Sequence, residues 1–428
     1  MVNMGAMTGR LRAGLLVGLL AAGFARADIV RDIVSLAPSR PHSYEQYISA
    51  LRELSNSDRM HIETIGRSVE GRQLVLAMAQ SPAHAGLAAE QRPPCILVIA
   101  RQHGTESSGT EAALAMLRYF ATTRDPVSLE ILNQVTLATV PMANPDGVAR
   151  SQRRNAAGVD LNRDWEALTQ PETRAIAEVV DRLKPVATID MHELPASSSK
   201  ASFAGSFVQT FGADASIPRW FSDDCRTCST HIAAWMPQYG LPVSLYFDYS
   251  TDTRALCHRY MGLVRGVPSY LFESKTGDAH PLGKRVAFHV LGALVVGNYL
   301  IHTYYDSPDS GQPVIAQTPE VEPAPPAPVA DPTSLAVSIA QPLQGSTAEG
   351  RMPIVAEITG QDFSYVTFEL NGLLRSMVTA PPYTYVVDTA GCEEGIHTVK
   401  VSVCDAVGTP LASTERTFVV SHGTAPAR

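Results

Sequence analysis

Short apolar runs alternate with amphipathic stretches along roughly the N-terminal two thirds of the chain. The run 96–100 is typical of a buried strand, whereas apolar residues spaced three and four positions apart in 44–54 are typical of a helix. This alternation predicts an α/β domain in which a mixed, largely parallel sheet is flanked by helices. Further strands are predicted within 61–79 (two) and at 134–141, 186–191 and 267–273, further helices at 110–121 and 172–183, and a polar lead-in at 28–44.

The pattern changes beyond residue 305. The stretch 306–334 is rich in Pro, Ala, Val and Glu, which predicts a stiff, extended linker. Short alternating runs separated by turn residues then continue to 422 and predict an all-β, immunoglobulin-like (Ig-like) sandwich at 335–422. No ligand cluster is visible there, so surface binding, partner binding and stabilisation of the fold are all candidate roles. The α/β domain is accordingly placed at 28–305.

The N-terminus has the pattern of a targeting signal. Arg10 and Arg12 precede an apolar run, and Ala25-Arg26-Ala27 fits a small-x-small cleavage site. The run is short for a bilayer span. We therefore predict a signal peptide at 1–27, no integral membrane segment in the mature chain, and a protein exported to the periplasm or secreted.

Length, net charge and cysteine content limit the number of domains, the kinds of binding partner and the cellular compartment that are expected. The chain has 428 residues, which predicts more than one domain. Its net charge of −8 argues against nucleic acid and anionic membranes as partners. Six cysteines fit an oxidising compartment. A disulfide near Cys225 and Cys228, with Cys257 as a candidate partner, is favoured over a zinc site there. Cys392 and Cys404 are candidates for a second disulfide, and the connectivity stays open.

A polar turn after the strand 96–100 carries His103 and Glu106. A second apolar strand, 186–191, runs directly into His192. Two His and one Glu form a zinc site that leaves one position open for water. Because sites in such sheets gather at the carboxyl ends of the strands, the three side chains predict one metal site.

Two further features surround this predicted site. Asn162 and Arg163 lie in a polar loop, where a guanidinium can bind a carboxylate bidentately and an amide adds a donor. Glu273 ends an apolar strand. A carboxylate beside a metal is a candidate general base for a zinc-bound water, whose pKa the metal lowers.

In their order and context, these motifs resemble those of the carboxypeptidase A-like zinc peptidases, over roughly 44–302. The motifs that carry the resemblance are His103-x-x-Glu106, Asn144-Pro-Asp-Gly147, Asp160-Leu-Asn162-Arg163, His192 and Glu273-Ser-Lys-Thr-Gly277. The resemblance implies a zinc carboxypeptidase-like fold, with His103, Glu106 and His192 binding one Zn²⁺ per chain. It also implies that Asp160 orients the first of these histidines.

The resemblance implies roles for the substrate side as well. Arg153 would polarise the scissile carbonyl, and Glu273 would act as general base. Asn162 and Arg163 would hold the substrate's terminal carboxylate. The family also has a mobile substrate-binding tyrosine, for which Tyr246 and Tyr249 are both candidates here, and Tyr249 is favoured.

The implied activity is that of a zinc metallocarboxypeptidase, which hydrolyses the C-terminal peptide bond of exported or extracellular peptides that carry a free terminal carboxylate. Relatives that deacylate N-acyl amino acids share some of these motifs, and an exported enzyme of this kind also suits cell-wall peptides. A catalytically inactive binding or adhesion protein is a fourth interpretation. The complete set of ligands and catalytic residues argues against it.

Overall fold

The computed structural model describes residues 24–84, 86–87, 92–196, 206–212, 219–248, 254–305, 335–379, 381–389, 392–405 and 409–421. The chain divides into two compact units. The first comprises 1–194 and 250–316, and the second 195–249 and 317–428. Most of the predicted signal peptide and the whole predicted linker 306–334 lie outside the described residues.

The first unit contains a mixed six-stranded sheet in the order β1-β2-β4-β3-β5-β8. The strands β4, β3, β5 and β8 pair with one another in parallel. The strand β2 pairs antiparallel with β4 on one side and with β1 on the other. The strands are β1 (Met60–Arg67), β2 (Gln73–Ala79), β3 (Cys95–Ala100), β4 (Thr136–Val140), β5 (Ala187–Leu194) and β8 (Ser269–Lys275). The predicted α/β class is confirmed.

Burial on both faces explains why the central strands are almost continuously apolar. Every residue of β3 and β5 is buried. One face of the sheet packs against the helices Pro171–Leu183 and Cys257–Leu263, and the other against the helices Ser108–Thr122 and Leu282–Tyr305. The helices of this unit are α1 (Phe24–Ser35), α2 (Tyr44–Leu54), α3 (Ser108–Thr122), α4 (Pro126–Gln134), α5 (Pro145–Ala149), α6 (Pro171–Leu183), α8 (Cys257–Leu263) and α9 (Leu282–Tyr305).

One prediction about local structure was wrong. Residues 28–35 of the predicted polar lead-in 28–44 belong to the helix α1, which buries Ile29, Val30 and Ile33 and packs against α3 and α9. This short apolar stripe lies directly after the apolar signal-like run, which masks its helical period. The predicted strand 134–141 is confirmed as β4 (Thr136–Val140), while Gln134 ends the helix α4, which Asp125 caps and Pro126 starts.

The second unit contains two sheets. The larger has the order β6-β7-β13-β12-β15-β16-β10, and the smaller β14-β11-β9. Their strands are β6 (Ser206–Phe211), β7 (Val243–Asp248), β9 (Ala336–Gln341), β10 (Thr347–Ala348), β11 (Arg351–Thr359), β12 (Tyr365–Leu370), β13 (Leu373–Val378), β14 (Thr384–Asp388), β15 (Gly395–Cys404) and β16 (Pro410–Val420). The helix α7 (Arg219–Trp235) packs on β6 and β7.

Both sheets contribute to one apolar core in the C-terminal part. Ile354 of the smaller sheet packs in the same cluster as Phe368, Val401 and Phe418 of the larger one. The predicted Ig-like sandwich is thereby confirmed. The β6–β7 segment, which precedes Glu273 in the chain, belongs to the same compact unit.

The disulfides considered for Cys257 and Cys404 do not form, because both residues carry free thiols. Cys225 and Cys228 lie three residues apart on α7 and are buried. Burial raises the pKa of the Cys95 thiol to about 12, so this thiol behaves as an apolar core group.

Within the described part of the chain, no helix combines the length and the apolar character that crossing a bilayer requires. The longest helix, α9, is instead a packing element of the α/β unit. It contacts α1, α3 and β8.

The α9–β8 contact generates a prediction about stability. A Cβ atom added at Gly292 of α9 would lie 2.0 Å from Cε1 of Phe272, which is fully buried beside Glu273. Gly292→Ala should therefore overpack the core and lower the free energy of unfolding by about 1–3 kcal/mol, as measured by urea denaturation. Gly283→Ala in the same helix is the control, because nothing lies within 4 Å of its added Cβ. Equal stabilities of the two variants would contradict the packing described here.

Candidate metal centre

The site forms where two adjacent parallel strands end. Ala100, at the end of β3, pairs with Met191 of β5. His103 lies in the turn after β3, and His192 lies one position beyond Met191. The parallel register therefore brings the two imidazoles to the same edge of the sheet, with ring centroids 4.8 Å apart.

Three side chains converge there. His103 Nδ1 lies 3.1 Å from His192 Nδ1. The carboxylate of Glu106 joins both, with Oε1 2.8 Å from His103 Nδ1 and Oε2 2.9 Å from His192 Nδ1. The candidate ligand atoms all lie within 4.8 Å of one another, and all three residues are buried. A tetrahedral zinc ion with bonds of about 2.0–2.1 Å separates its ligand atoms by roughly 3.3 Å, so this donor set fits zinc.

Two carboxylates hold the far side of the imidazoles. His103 Nε2 donates to Asp160 Oδ1 at 2.9 Å, and His192 Nε2 donates to Asp190 Oδ1 at 2.9 Å. Because the carboxylates bind Nε2, Nδ1 is the nitrogen of each ring that can bind a metal at the centre. A carboxylate behind a ligating histidine both fixes the tautomer and raises the basicity of the ligand.

The electrostatics of the site are dominated by these buried carboxylates. Burial by itself lowers the pKa of His192, but Asp190 and Glu106 outweigh it and hold that pKa well above its ordinary value. Burial raises the pKa of Glu106 and of Asp160, but in both cases hydrogen bonding to His103 and the neighbouring charges bring it below its ordinary range. Both carboxylates are therefore anionic at neutral pH, as cation binding requires.

The turn that carries His103 is held by close backbone packing. A Cβ atom at Gly104 would lie 2.2 Å from the carbonyl carbon of Gly147, so only glycine fits at this position. Asn144 joins the same two segments by hydrogen bonds, since its Nδ2 donates to the carbonyls of Gln102 and Arg153 at 3.1 and 3.2 Å. The Asn-Pro-Asp-Gly motif therefore ties the metal turn to the segment before Arg153.

Arg153 lies at the rim of the site. Its Nη1 donates to Glu106 Oε1 at 3.1 Å, and its guanidinium also lies 3.2 Å from Asp160 Oδ2. The side chain is 46% exposed, so one side of the guanidinium is open to a ligand.

Asn162 and Arg163 occupy different environments. Asn162 is buried, accepts the Cys257 N–H at 2.8 Å, and places its Nδ2 3.3 Å from His192 Nε2. Arg163 is exposed and donates to the Asn162 carbonyl at 2.7 Å. Of this pair, Arg163 has the accessible donors.

Glu273 lies directly beside His192 in the sheet. The two residues are register partners on the parallel strands β5 and β8, so they project from the same side of the sheet. Glu273 is partly buried, whereas Phe272 and Ser274 on either side of it point into the opposite face.

The two candidate tyrosines are separated by burial and by position. Tyr246 is 9% exposed and packs edge-on against Phe207 inside the second unit. Burial raises its pKa strongly. Tyr249, the favoured candidate, lies outside the described residues.

Sequence reasoning missed three residues that support the ligands. They are Asp190, Gln102, whose Nε2 donates to Asp190 Oδ1 at 2.6 Å, and Trp165, whose Nε1 donates to Gln102 Oε1 at 2.6 Å. Asp190 had a visible signal, because it lies two positions before His192 on one strand and therefore on the same face. Gln102 and Trp165 gave none, since their contacts join distant parts of the chain.

Comparisons with known proteins agree with this geometry. Residues 44–198 match the zinc carboxypeptidase family, and residues 336–401 match a bacterial Ig domain. Mouse carboxypeptidase D is 33% identical over 158 residues, which are 33% of this chain and 11% of that protein. The catalytic chain of rat carboxypeptidase N is 25% identical over 255 residues, which are 49% of this chain and 52% of that protein. The chain thus spans from about a tenth to half the length of these relatives.

A solved structure extends the likeness to the fold. A metallo-carboxypeptidase from Burkholderia cenocepacia superposes with a TM-score of 0.52 and 25% identity, covering 62% of this chain and 70% of that one. The α/β region of this chain is therefore similar to the zinc carboxypeptidase family, and its C-terminal region is similar to a bacterial Ig domain.

The contact behind His192 generates a prediction about metal affinity. Asp190→Asn keeps the shape but removes the charge that orients and polarises His192, so the affinity for Zn²⁺ should fall by roughly 10- to 100-fold. Competition with a chromogenic chelator measures this. Asp278→Asn, in an exposed loop, is the control. Unchanged affinity in a normally folded Asp190→Asn protein would refute the role given to Asp190.

Proposed function

We propose that this protein is an exported, zinc-dependent carboxypeptidase that binds one Zn²⁺ through His103, Glu106 and His192. The observation that carries the proposal is the convergence of two Nδ1 atoms and one carboxylate at a buried point, with Glu273 beside His192 in the sheet and Arg153 in contact with Glu106. The N-terminal signal-like segment supports export to the periplasm or the medium. When bound, zinc would supply Lewis acidity and lower the pKa of a water molecule.

Glu273 is the proposed general base. As the register partner of His192, it projects from the same side of the sheet as that ligand, which supports its assignment as the proton acceptor. Its carboxylate takes a proton from the water as the oxygen attacks the last peptide carbonyl. It then passes that proton to the leaving amine as the C–N bond breaks, so the carboxylate is regenerated.

Arg153 is the proposed donor to the scissile carbonyl oxygen. Its guanidinium already lies against Glu106, on the open side of the metal turn. A fixed cation there stabilises the negative charge that develops on the oxygen during attack. Asp160 contributes indirectly, because it contacts both Arg153 and His103.

Arg163, together with Asn162, is proposed to hold the terminal carboxylate of the substrate. Arg163 presents exposed donors in a planar fork that matches a carboxylate. Asn162 lies beside His192, and we propose that its amide adds a further donor. Tyr249 remains the proposed substrate tyrosine. Recognition of the free chain end would make the enzyme an exopeptidase.

Side-by-side assays test the reaction class. Hippuryl amino acids report carboxypeptidase activity, simple N-acyl amino acids report deacylation, and muropeptides report cell-wall activity. The proposal predicts zinc-dependent turnover that is fastest on peptides with a free C-terminal carboxylate. Turnover confined to acyl amino acids would reject it in favour of the deacylase interpretation.

A substitution at Glu273 separates chemistry from metal binding. Glu273→Gln should reduce kcat by about 10²–10⁴, because the amide accepts no proton, while one zinc ion per chain is retained. His192→Ala is the comparison, since it should lose both zinc and turnover. Atomic emission gives the zinc content and a hippuryl substrate gives kcat. Full activity in Glu273→Gln would exclude Glu273 as the base.

A substitution at Arg163 tests carboxylate recognition. Arg163→Lys keeps the charge but not the bidentate fork, so kcat/KM on free-carboxyl peptides should fall by about 10- to 100-fold. The rate on the same peptides with an amidated C-terminus should be unchanged. Arg154→Lys, an exposed neighbour that donates to Gly158, is the matched control. Equal losses on both kinds of peptide would contradict the assignment.

A further inference from the structure

The Ig-like domain pairs with a strand that comes from a distant part of the sequence. Its strand β13 runs antiparallel to β7, with Ser376 opposite Tyr246, Met377 opposite Leu245 and Val378 opposite Ser244. The β7 strand precedes the predicted linker and lies between His192 and Glu273 in the chain. Both strands fall in the same compact unit.

This junction is a main-chain pairing reinforced by one side chain. The N–H of Thr379, directly after β13, donates to the Val243 carbonyl at 3.3 Å. The Thr379 hydroxyl donates to the same carbonyl at 2.8 Å and accepts the Val243 N–H at 3.0 Å. A two-way contact of this kind fixes the register of the two strands at their first pair.

The residues of this junction are as buried as those of the domain core. Met377 and Val378 are 1% and 2% exposed, and Leu245 opposite Met377 is 1% exposed. Ser376 is fully buried. Polar main-chain groups sealed from water in this way are costly unless they are paired, so the pairing and the burial depend on each other.

A strand edge left open presents a row of N–H and C=O groups on which other chains can pair. By lying along β7, β13 gives that strand a second neighbour beside β6. The Ig-like domain therefore satisfies the main-chain hydrogen-bonding groups along this edge of β7, as a further strand of the same sheet would. A domain attached only by a linker would make no such main-chain pairing with β7.

We propose that the Ig-like domain is a built-in strand partner of the β6–β7 segment, and that it holds this part of the α/β sequence in place instead of serving as an independently moving binding module. The partner surface is the β7 edge, and the occupant is β13 of the same chain. The inference stands on the pairing alone and does not depend on the proposed catalytic activity.

Cutting the covalent link tests it. A recognition sequence for a site-specific protease is inserted in 306–334 of the full-length protein, and the folded protein is cut to completion. The two fragments should remain together on size-exclusion chromatography and separate only when denaturant is added. Fragments that elute separately in buffer would overturn the proposal, whether or not the protein has peptidase activity.

Thr379 gives a sharper test of the same junction. In the cut protein, Thr379→Val removes the hydroxyl and both of its hydrogen bonds while keeping the volume. Dissociation of the fragments should therefore occur at about tenfold higher protein concentration. The amide of Val243, which loses its acceptor, should exchange its hydrogen faster in the uncut variant.

Thr398→Val is the matched control, because Thr398 is half-buried on β15, where it is opposite Thr417 of the neighbouring strand β16. It should change neither the dissociation nor the exchange of the Val243 amide. Unaltered behaviour of Thr379→Val, or an equal effect of both variants, would overturn the proposal.

Discussion

The site depends on the parallel pairing of β3 and β5. Only when two neighbouring strands run in the same direction do their carboxyl ends meet at one edge, and here the register places His192 beside the turn that carries His103. The pairing is maintained by strands that are buried on both faces, so the ends cannot slip without exposing apolar side chains. The position of the imidazoles is therefore a consequence of the core.

Charge is the second constraint. Three carboxylates surround the two buried imidazoles, and Arg153 is the adjacent cation. Glu106 and Asp190 are buried and Asp160 is half-buried, so hydrogen bonds and positive charge are needed to stabilise these anions. A divalent cation between the Nδ1 atoms supplies such charge. A cluster of carboxylates that is unfavourable without a cation is thus suited to metal binding. The hydrogen bond from the Asn144 amide to the Gln102 carbonyl holds the turn that carries His103 in place.

The organisation of the chain does not follow the order of its sequence domains. The segment 195–249 lies between two residues of the site, yet it packs with the C-terminal strands. Pairing of β7 with β13 explains this, since main-chain hydrogen bonds join whichever strands can align, irrespective of their distance in sequence. An Ig-like domain joined in this way differs physically from one that is tethered only by a proline-rich stretch.

Local pattern was sufficient for much of this protein. Periodicity predicted the helix Tyr44–Leu54 with both of its ends, the buried strand before His103 and the alternating strands of the C-terminal domain, because these signals depend on neighbours in sequence. The placement of His103 after one strand and of His192 near the carboxyl end of another was likewise readable, since each follows its own apolar run. The helix α1 was missed because its short apolar stripe follows another apolar segment.

Tertiary structure alone decided the contacts between segments that are far apart in the chain. Gln102 and Trp165 meet across 63 positions, and Asp190 joins them only because Gln102 turns toward β5. The pairing of β7 with β13 has no sequence signature at all, because any two strands carry the same backbone donors and acceptors. The sequence thus determined which elements form and which chemical groups they carry. Packing and strand register determined which of those groups touch.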